Sequence, residues 1–322
     1  MAHSKSATNK PTITIRMQPK QIVIVLTLVL LLYVVIPQLG SFKHSFSLIS
    51  QAHTGWILFG AASYLGSAIT SAFVYRLLAP RHLPLGRTTL VLYGSNFANR
   101  LLPAGIGALG VGYFYLRKQK CSQPETLAVI TLNNILGLLG HGLLLLGVVL
   151  FVPATFVQTH AALKLDGQTS LAIGIGVVLL AGYILILRNF RRRIVDVASA
   201  TVHQLSSYRK KRAQVAGALI FSIGLTMLHV ICLWASAKAL NIDISLAQSI
   251  IILAAGVALG AAVPSPGGLG GAEAGLVAGL VAFQVPVASS VAVAILYRLA
   301  TYWLGFVVGA GAFFVAEKKD YF

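Results

Sequence analysis

Polar and charged positions cut this chain into long apolar runs, and the lengths of those runs carry the first prediction. A transmembrane helix needs about 20 consecutive, mainly apolar residues. Six stretches meet that requirement: one centred on Ile22 to Ile36, then Gly55 to Tyr75, Glu125 to Val152, Thr169 to Leu187, Gln214 to Ala237 and Val287 to Ala316. Two further stretches, Thr88 to Leu116 and Ser245 to Phe283, are equally apolar but are interrupted by clusters of Pro and Gly. The pattern predicts an all-α polytopic integral membrane protein with six full spans and two broken or re-entrant helical hairpins.

Composition agrees with the bilayer as solvent. Of the 322 residues 57% are apolar and only 10% charged, against roughly a quarter charged in soluble domains. Lys and Arg number 25 against 7 Asp and Glu, a formal net charge of +18. In a membrane chain such an excess reports loop orientation rather than nucleic-acid binding. Twenty of the cations fall on one side of the predicted layout, which places both termini in the cytoplasm. Lys43, Lys164 and Lys238 lie opposite, and Arg100 and Arg298 fall at membrane depth. The chain thus divides into a basic leader (1–20), a membrane region (21–187) comprising a first repeat and the start of a second, a basic segment (188–213), the rest of the membrane region (214–316) and a short tail (317–322). No small-x-small site follows Ile36, so the first run reads as an uncleaved anchor. The segment 188–213 reads equally as an amphipathic helix on an anionic leaflet and as a solvated linker. Cys121 in a basic loop and Cys232 in an apolar run do not suggest a disulfide.

The two broken stretches share a motif. Pro103-Ala-Gly-Ile-Gly-Ala108 aligns with Pro266-Gly-Gly-Leu-Gly-Gly271, and each is followed 20 or 21 residues later by a proline, Pro124 or Pro286, that opens the next span. The charges place the first hairpin's entry in the cytoplasm and the second's on the far side, so the layout predicts an inverted repeat. Interrupted helices at membrane depth are tolerated where they are buried in protein or line a wet cavity. Pro103, Gly105, Gly107, Pro264, Pro266, Gly267, Gly268 and Gly270 are therefore candidate cavity-lining residues. Close helix packing is the competing explanation for any single glycine.

Arg100, Glu273 and Arg298 carry the candidate chemistry. Each costs about 2.5–3.5 kcal/mol at the bilayer centre on insertion scales, so each needs a partner or a task. Two cations against one acid leave a surplus positive charge, and a guanidinium fork matches phosphate oxygens. The predicted site for a lipid head group comprises Arg100, Arg298, Glu273, Asn99 and Tyr297, with Asn96, Asn133 and Asn134 along a path to it. A structural ion pair of Glu273 with either arginine is the alternative. His141 and His229 are isolated and read as packing residues, so no metal site, cofactor or catalytic residue is predicted. No G-x-x-x-x-G-K-[ST] motif for nucleotides is present.

Asn99-Arg-Leu-Leu-Pro-Ala-Gly-Ile-Gly107 with Tyr113 to Lys118, and Pro264-Ser-Pro-Gly-Gly-Leu-Gly-Gly-Ala-Glu273 with Leu296-Tyr-Arg-Leu299, resemble the lysylphosphatidylglycerol synthase transmembrane, or flippase-like, family. That family includes the membrane half of the multiple peptide resistance factor and stand-alone YbhN-like proteins. The resemblance implies a prokaryotic cytoplasmic-membrane protein that moves an anionic or aminoacylated phospholipid, or a related lipid, between leaflets. Two-domain members add a soluble aminoacyltransferase domain. This sequence ends at Phe322, so the expectation is a lipid translocation protein rather than an enzyme. Its partners would be membrane phospholipid, a separate lipid-modifying enzyme recruited through residues 188–212, or a second copy of itself by family analogy. A membrane-embedded transferase acting on lipid phosphates ranks lower, because Gly40 to Thr54 holds no Asp or Glu.

Overall fold

The computed structural model describes residues 47–102, 106–152, 208, 211–263, 265 and 267–322. Besides a helical turn at residues 47–50, the regular structure described comprises nine α-helices and one π-helical segment: α1 Thr54–Leu78, α2 Leu85–Leu101, α3 Ile106–Lys118, α4 Gln123–Phe151, α5 Arg212–Ala239, α6 Leu246–Ala262, α7 Gly271–Ala282, α8 Val287–Arg298, the π segment Leu299–Leu304 and α9 Gly305–Lys318. Among the described residues four helices are long and apolar enough to cross a membrane: α1, α4, α5 and the continuous run Val287–Lys318.

Local chemistry sets the helix boundaries. Ser122 and Glu125 form a reciprocal capping box at the start of α4, with Pro124 in its first turn, and Ser245 with Gln248 does the same for α6. Each box satisfies two amide donors that the helix itself leaves unpaired. Hydroxyls inside the helices return to their own backbones. Ser63, Ser95, Ser236 and Thr301 donate to carbonyls four residues back, which lets them lie in an apolar helix without an orphaned donor.

Glycine fixes the closest approaches. A methyl on Gly271 would lie 2.5 Å from the Leu259 carbonyl, one on Gly275 would overlap that of Ala255, and one on Gly279 would lie 3.0 Å from Ile252 Cα. These positions, spaced by four, form the seam between α6 and α7. Gly94 and Gly309 play the same part between α2 and α9, against Phe313 and Tyr93.

These contacts overturn the expected architecture of six spans and two hairpins in an inverted repeat. Four long apolar helices are described, and the runs at Ile22 to Ile36 and Thr169 to Leu187 lie outside the described residues. A repeat would give α2 and α6 equivalent neighbours. Instead α2 packs extensively on α9, whereas α6 is held chiefly by α7 and meets α4 only slightly. The last span is also not one regular helix, since six π-helical residues interrupt it. At the aligned Gly-rich motifs Gly107 and Gly271 each let a helix press on a carbonyl of the helix before it, but this shared close approach does not give α2 and α6 the same remaining neighbours. Gly107 lets α3 press on the Ala98 carbonyl of α2, while Gly267, Gly268 and Gly270 adopt positive φ angles of 60°, 69° and 82° in the turn before α7.

Two apolar cores result. One gathers Tyr75, Leu78, Leu83, Val91, Tyr115, Leu116 and Val129, and the other Tyr64, Val230, Leu233, Ile252, Leu276, Leu280, Val293 and Tyr297. Large apolar side chains elsewhere, such as Leu58, Leu138, Phe151, Ile220 and Val307, stand exposed in a way that water would penalise and lipid does not. At one end Trp56 meets Trp234 edge to face, as aromatics at a membrane interface do. At the other, Lys118 pairs with Asp320, Arg87 lies over the Tyr321 ring, and Phe322 packs on Phe313. The Tyr208 hydroxyl donates to the Leu78 carbonyl, and burial pushes it up to about 12.

Candidate functional site

A cavity of about 350 Å³ opens between the two apolar cores. The face of α1 that lines it carries Tyr64, Ser67, Ala68, Ser71 and Tyr75, a spacing that keeps these residues on one side of a helix. Facing them are Ser95, Asn96 and Arg100 from α2, Asn133 from α4, His229 from α5, Tyr297 and Arg298 from α8, and Thr301 from the π segment. A polar space between apolar helices costs free energy to maintain unless something polar occupies it, so the lining itself points to water or a ligand.

Arg100 lies in the last turn of α2, where the negative end of the helix dipole favours a cation. Its Nη1 donates to the Asn96 carbonyl at 2.6 Å, and its Nη2 donates to Tyr64 Oη at 2.9 Å and to the Thr301 carbonyl. All three acceptors are neutral. Arg100 Nε is buried and has no acceptor among the described residues, and no carboxylate pairs with Arg100 there. Asn99 Oδ1, next to it in the chain, is also buried without a donor among the described residues.

Arg298 is arranged differently. Its Nε donates to Glu273 Oε1 at 2.6 Å and its Nη2 to the Gly267 carbonyl at 3.2 Å. The other oxygen of the same carboxylate accepts the Gly270 amide at 2.7 Å and so caps α7. One carboxylate thus neutralises Arg298, ties α8 to the turn before α7, and occupies the Gly270 amide that an anion would otherwise use.

Tyr302 joins the two arginines. Its ring centroid lies 5.4 Å from Arg100 Cζ and 4.7 Å from Arg298 Cζ, within reach of cation–π attraction. Gly267 makes this approach sterically feasible: a methyl there would lie 2.6 Å from the Tyr302 ring and 3.3 Å from Arg100 Cγ. Gly305 does the same from α9, where a methyl would overlap Tyr64 Oη and lie 2.6 Å from Arg100 Nη2. π-helical turns within α-helices recur at functional sites. Here the π segment carries both the Thr301 carbonyl that accepts from Arg100 and the Tyr302 ring.

Of the residues singled out from the sequence, Arg100, Arg298, Tyr297, Asn96 and Asn133 line one cavity, and Glu273 reaches it through Arg298. Asn134 is exposed and does not line it, and Gly107 serves the α2–α3 contact. Pro103, Gly105, Pro264 and Pro266 lie outside the described residues. The sequence reading missed Tyr64, Thr301, Tyr302 and Gly305. The periodic polar face Tyr64, Ser67, Ser71 on an otherwise apolar span was a usable signal, but the π segment has none. Among the described residues no group of three or more His, Cys, Asp or Glu could hold a metal ion.

No curated protein gives a significant match to the chain. The family model described as the lysylphosphatidylglycerol synthase TM region matches residues 21–309. With that match spanning most of the sequence and the polytopic α-helical membrane architecture already described, the chain belongs to the lysylphosphatidylglycerol synthase transmembrane-region family.

Proposed function

We propose that this protein moves a phospholipid of the phosphatidylglycerol type between the leaflets of a prokaryotic cytoplasmic membrane, with both its termini on the cytoplasmic side. The observation that carries the reading is Arg100: a permanent cation facing a polar cavity, whose three acceptors are neutral and whose Nε–H has none among the described residues. A charge so placed is costly unless an anion visits it. A lipid phosphate supplies that anion, and the guanidinium offers it a directional, charge-assisted hydrogen bond. The acyl tails would stay in the bilayer, against the exposed apolar faces of the helices.

Arg298 takes a structural part in this reading, because Glu273 already neutralises it. Asn96, Asn133 and Tyr297 supply neutral polar surface through which a head group slides without a second fixed charge to trap it. Membership in a family named for lipid synthesis supports lipid handling.

The test is a leaflet-exchange assay with the full chain in liposomes of phosphatidylglycerol and phosphatidylcholine, using a fluorescent phosphatidylglycerol reporter quenched from outside. Wild-type protein is expected to accelerate exchange, and Arg100→Gln to abolish the acceleration. Exchange at the protein-free rate with correctly folded wild-type protein would refute the proposal.

A further inference from the structure

The charge inventory of the cavity narrows the head group it accepts. The chain has only seven acidic residues. Glu125 caps α4 at its exposed end, Asp243 pairs with Lys238, Asp320 pairs with Lys118, and Glu317 is exposed at the end of α9. Asp166 and Asp196 lie outside the described residues. Glu273 is the one described acid at the cavity, and both its oxygens are engaged, one by Arg298 and one by the Gly270 amide. Arg298 and Glu273 cancel, so the described lining carries a single uncompensated charge, the positive one on Arg100. His229 hydrogen-bonds the Leu225 carbonyl through Nδ1 and adds no negative charge in either protonation state.

We infer that the cavity selects phospholipids with one net negative charge, a single phosphodiester carrying an uncharged, hydroxyl-bearing head, and disfavours the aminoacylated form of the same lipid. The inference rests on the head-group reading of Arg100 and sharpens it. A phosphodiester brings one negative charge to meet one guanidinium. Its hydroxyls find neutral partners in the Asn96, Asn133, Ser71 and Tyr297 side chains that line the space. A lysyl ester adds two ammonium groups, which need anionic acceptors. The described lining offers none, and Arg100 repels them. An ethanolamine head, with one ammonium, falls between. A diphosphate, as on polyprenyl carriers, brings more negative charge than Arg100 balances. In a partly dehydrated site each unbalanced unit charge is worth about tenfold or more in occupancy.

The experiment is a lipid competition. Full-length protein in nanodiscs containing equal amounts of phosphatidylglycerol, phosphatidylethanolamine and lysyl-phosphatidylglycerol is extracted gently, and the lipids that stay with it are quantified by mass spectrometry. The expected result is enrichment of phosphatidylglycerol over the lysylated lipid by roughly tenfold, with phosphatidylethanolamine between them. Asn133→Asp, which places an acid on the cavity wall, should move the ratio toward the lysylated lipid by a similar factor. The wild-type ratio decides the question even if that variant fails to fold. Equal or greater retention of the lysylated lipid, lost in Arg100→Gln, would overturn the selectivity while leaving the head-group site intact. Retention that mirrors the bulk mixture, or that Arg100→Gln leaves unchanged, would overturn the head-group site and the selectivity with it.

Discussion

Arg100 and Arg298 lie against the same tyrosine ring, at the ends of two helices, yet one is solved chemically and the other is not. Arg298 meets a carboxylate that also caps a helix, so its charge is absorbed into the scaffold. Arg100 meets a carbonyl of its own helix, a hydroxyl and a π-segment carbonyl, all neutral. The difference teaches that depth in the membrane marks a residue as important without saying how. Only the partner set separates a structural charge from one left available.

Substitutions that disturb this contrast should rank by how much charge they strand. Glu273→Gln removes the partner of Arg298, which is only 13% exposed, and weakens the α7 cap. Because Glu273 itself is 31% exposed, the loss should sit at the low end of the buried-pair range, about 3 kcal/mol, read as a fall in melting temperature in detergent. The double change Glu273→Leu with Arg298→Met should recover most of it, since replacing both ions strands neither. Gly305→Ala should cost about 1–3 kcal/mol by driving a methyl into Tyr64 and Arg100, and should slow lipid exchange in the same preparation.

Arg100→Gln separates the two arginines most sharply. It strands no acid among the described residues and removes an unpaired charge together with its hydrogen bonds, so its melting temperature should fall by less than that of Glu273→Gln, although lipid exchange is lost. A fall as large as that of Glu273→Gln would mean that Arg100 is also part of the scaffold. The smallest effects belong to the exposed pairs. Lys118→Ala, which breaks the bond to Asp320, should cost no more than about 0.5 kcal/mol. Asp243 is held below its ordinary range by the hydrogen bond from Lys238 and then by its charge. Its contribution is therefore present above about pH 4 and lost as pH falls through the depressed value. Melting curves of wild type and Asp243→Asn should differ slightly at neutral pH and coincide in strong acid.

Sequence reasoning singled out several residues that meet at this cavity because rare residues carry information in an apolar chain. Arg100, Glu273 and Arg298 stood out by cost alone, and the structure brings them around Tyr302 from positions almost 200 residues apart in the chain. The architecture was less legible. Paired Pro-Gly motifs suggested repeated geometry, but glycine serves a turn at Gly267, a helix seam at Gly275 and room for an arginine at Gly305 with one and the same letter. The pairing of Glu273 depends on the turn at Gly267 to Gly270, and the Thr301 acceptor on the π segment. Neither leaves a periodic trace.

The central claim is that Arg100, and not Arg298, meets the lipid phosphate. Cryo-electron microscopy of the full chain in phosphatidylglycerol nanodiscs tests it directly. The account predicts phosphate density within hydrogen-bonding distance of the Arg100 guanidinium, with the Glu273 to Arg298 pair unbroken. Phosphate density on Arg298 with Glu273 displaced, or a cavity without lipid density, would contradict it.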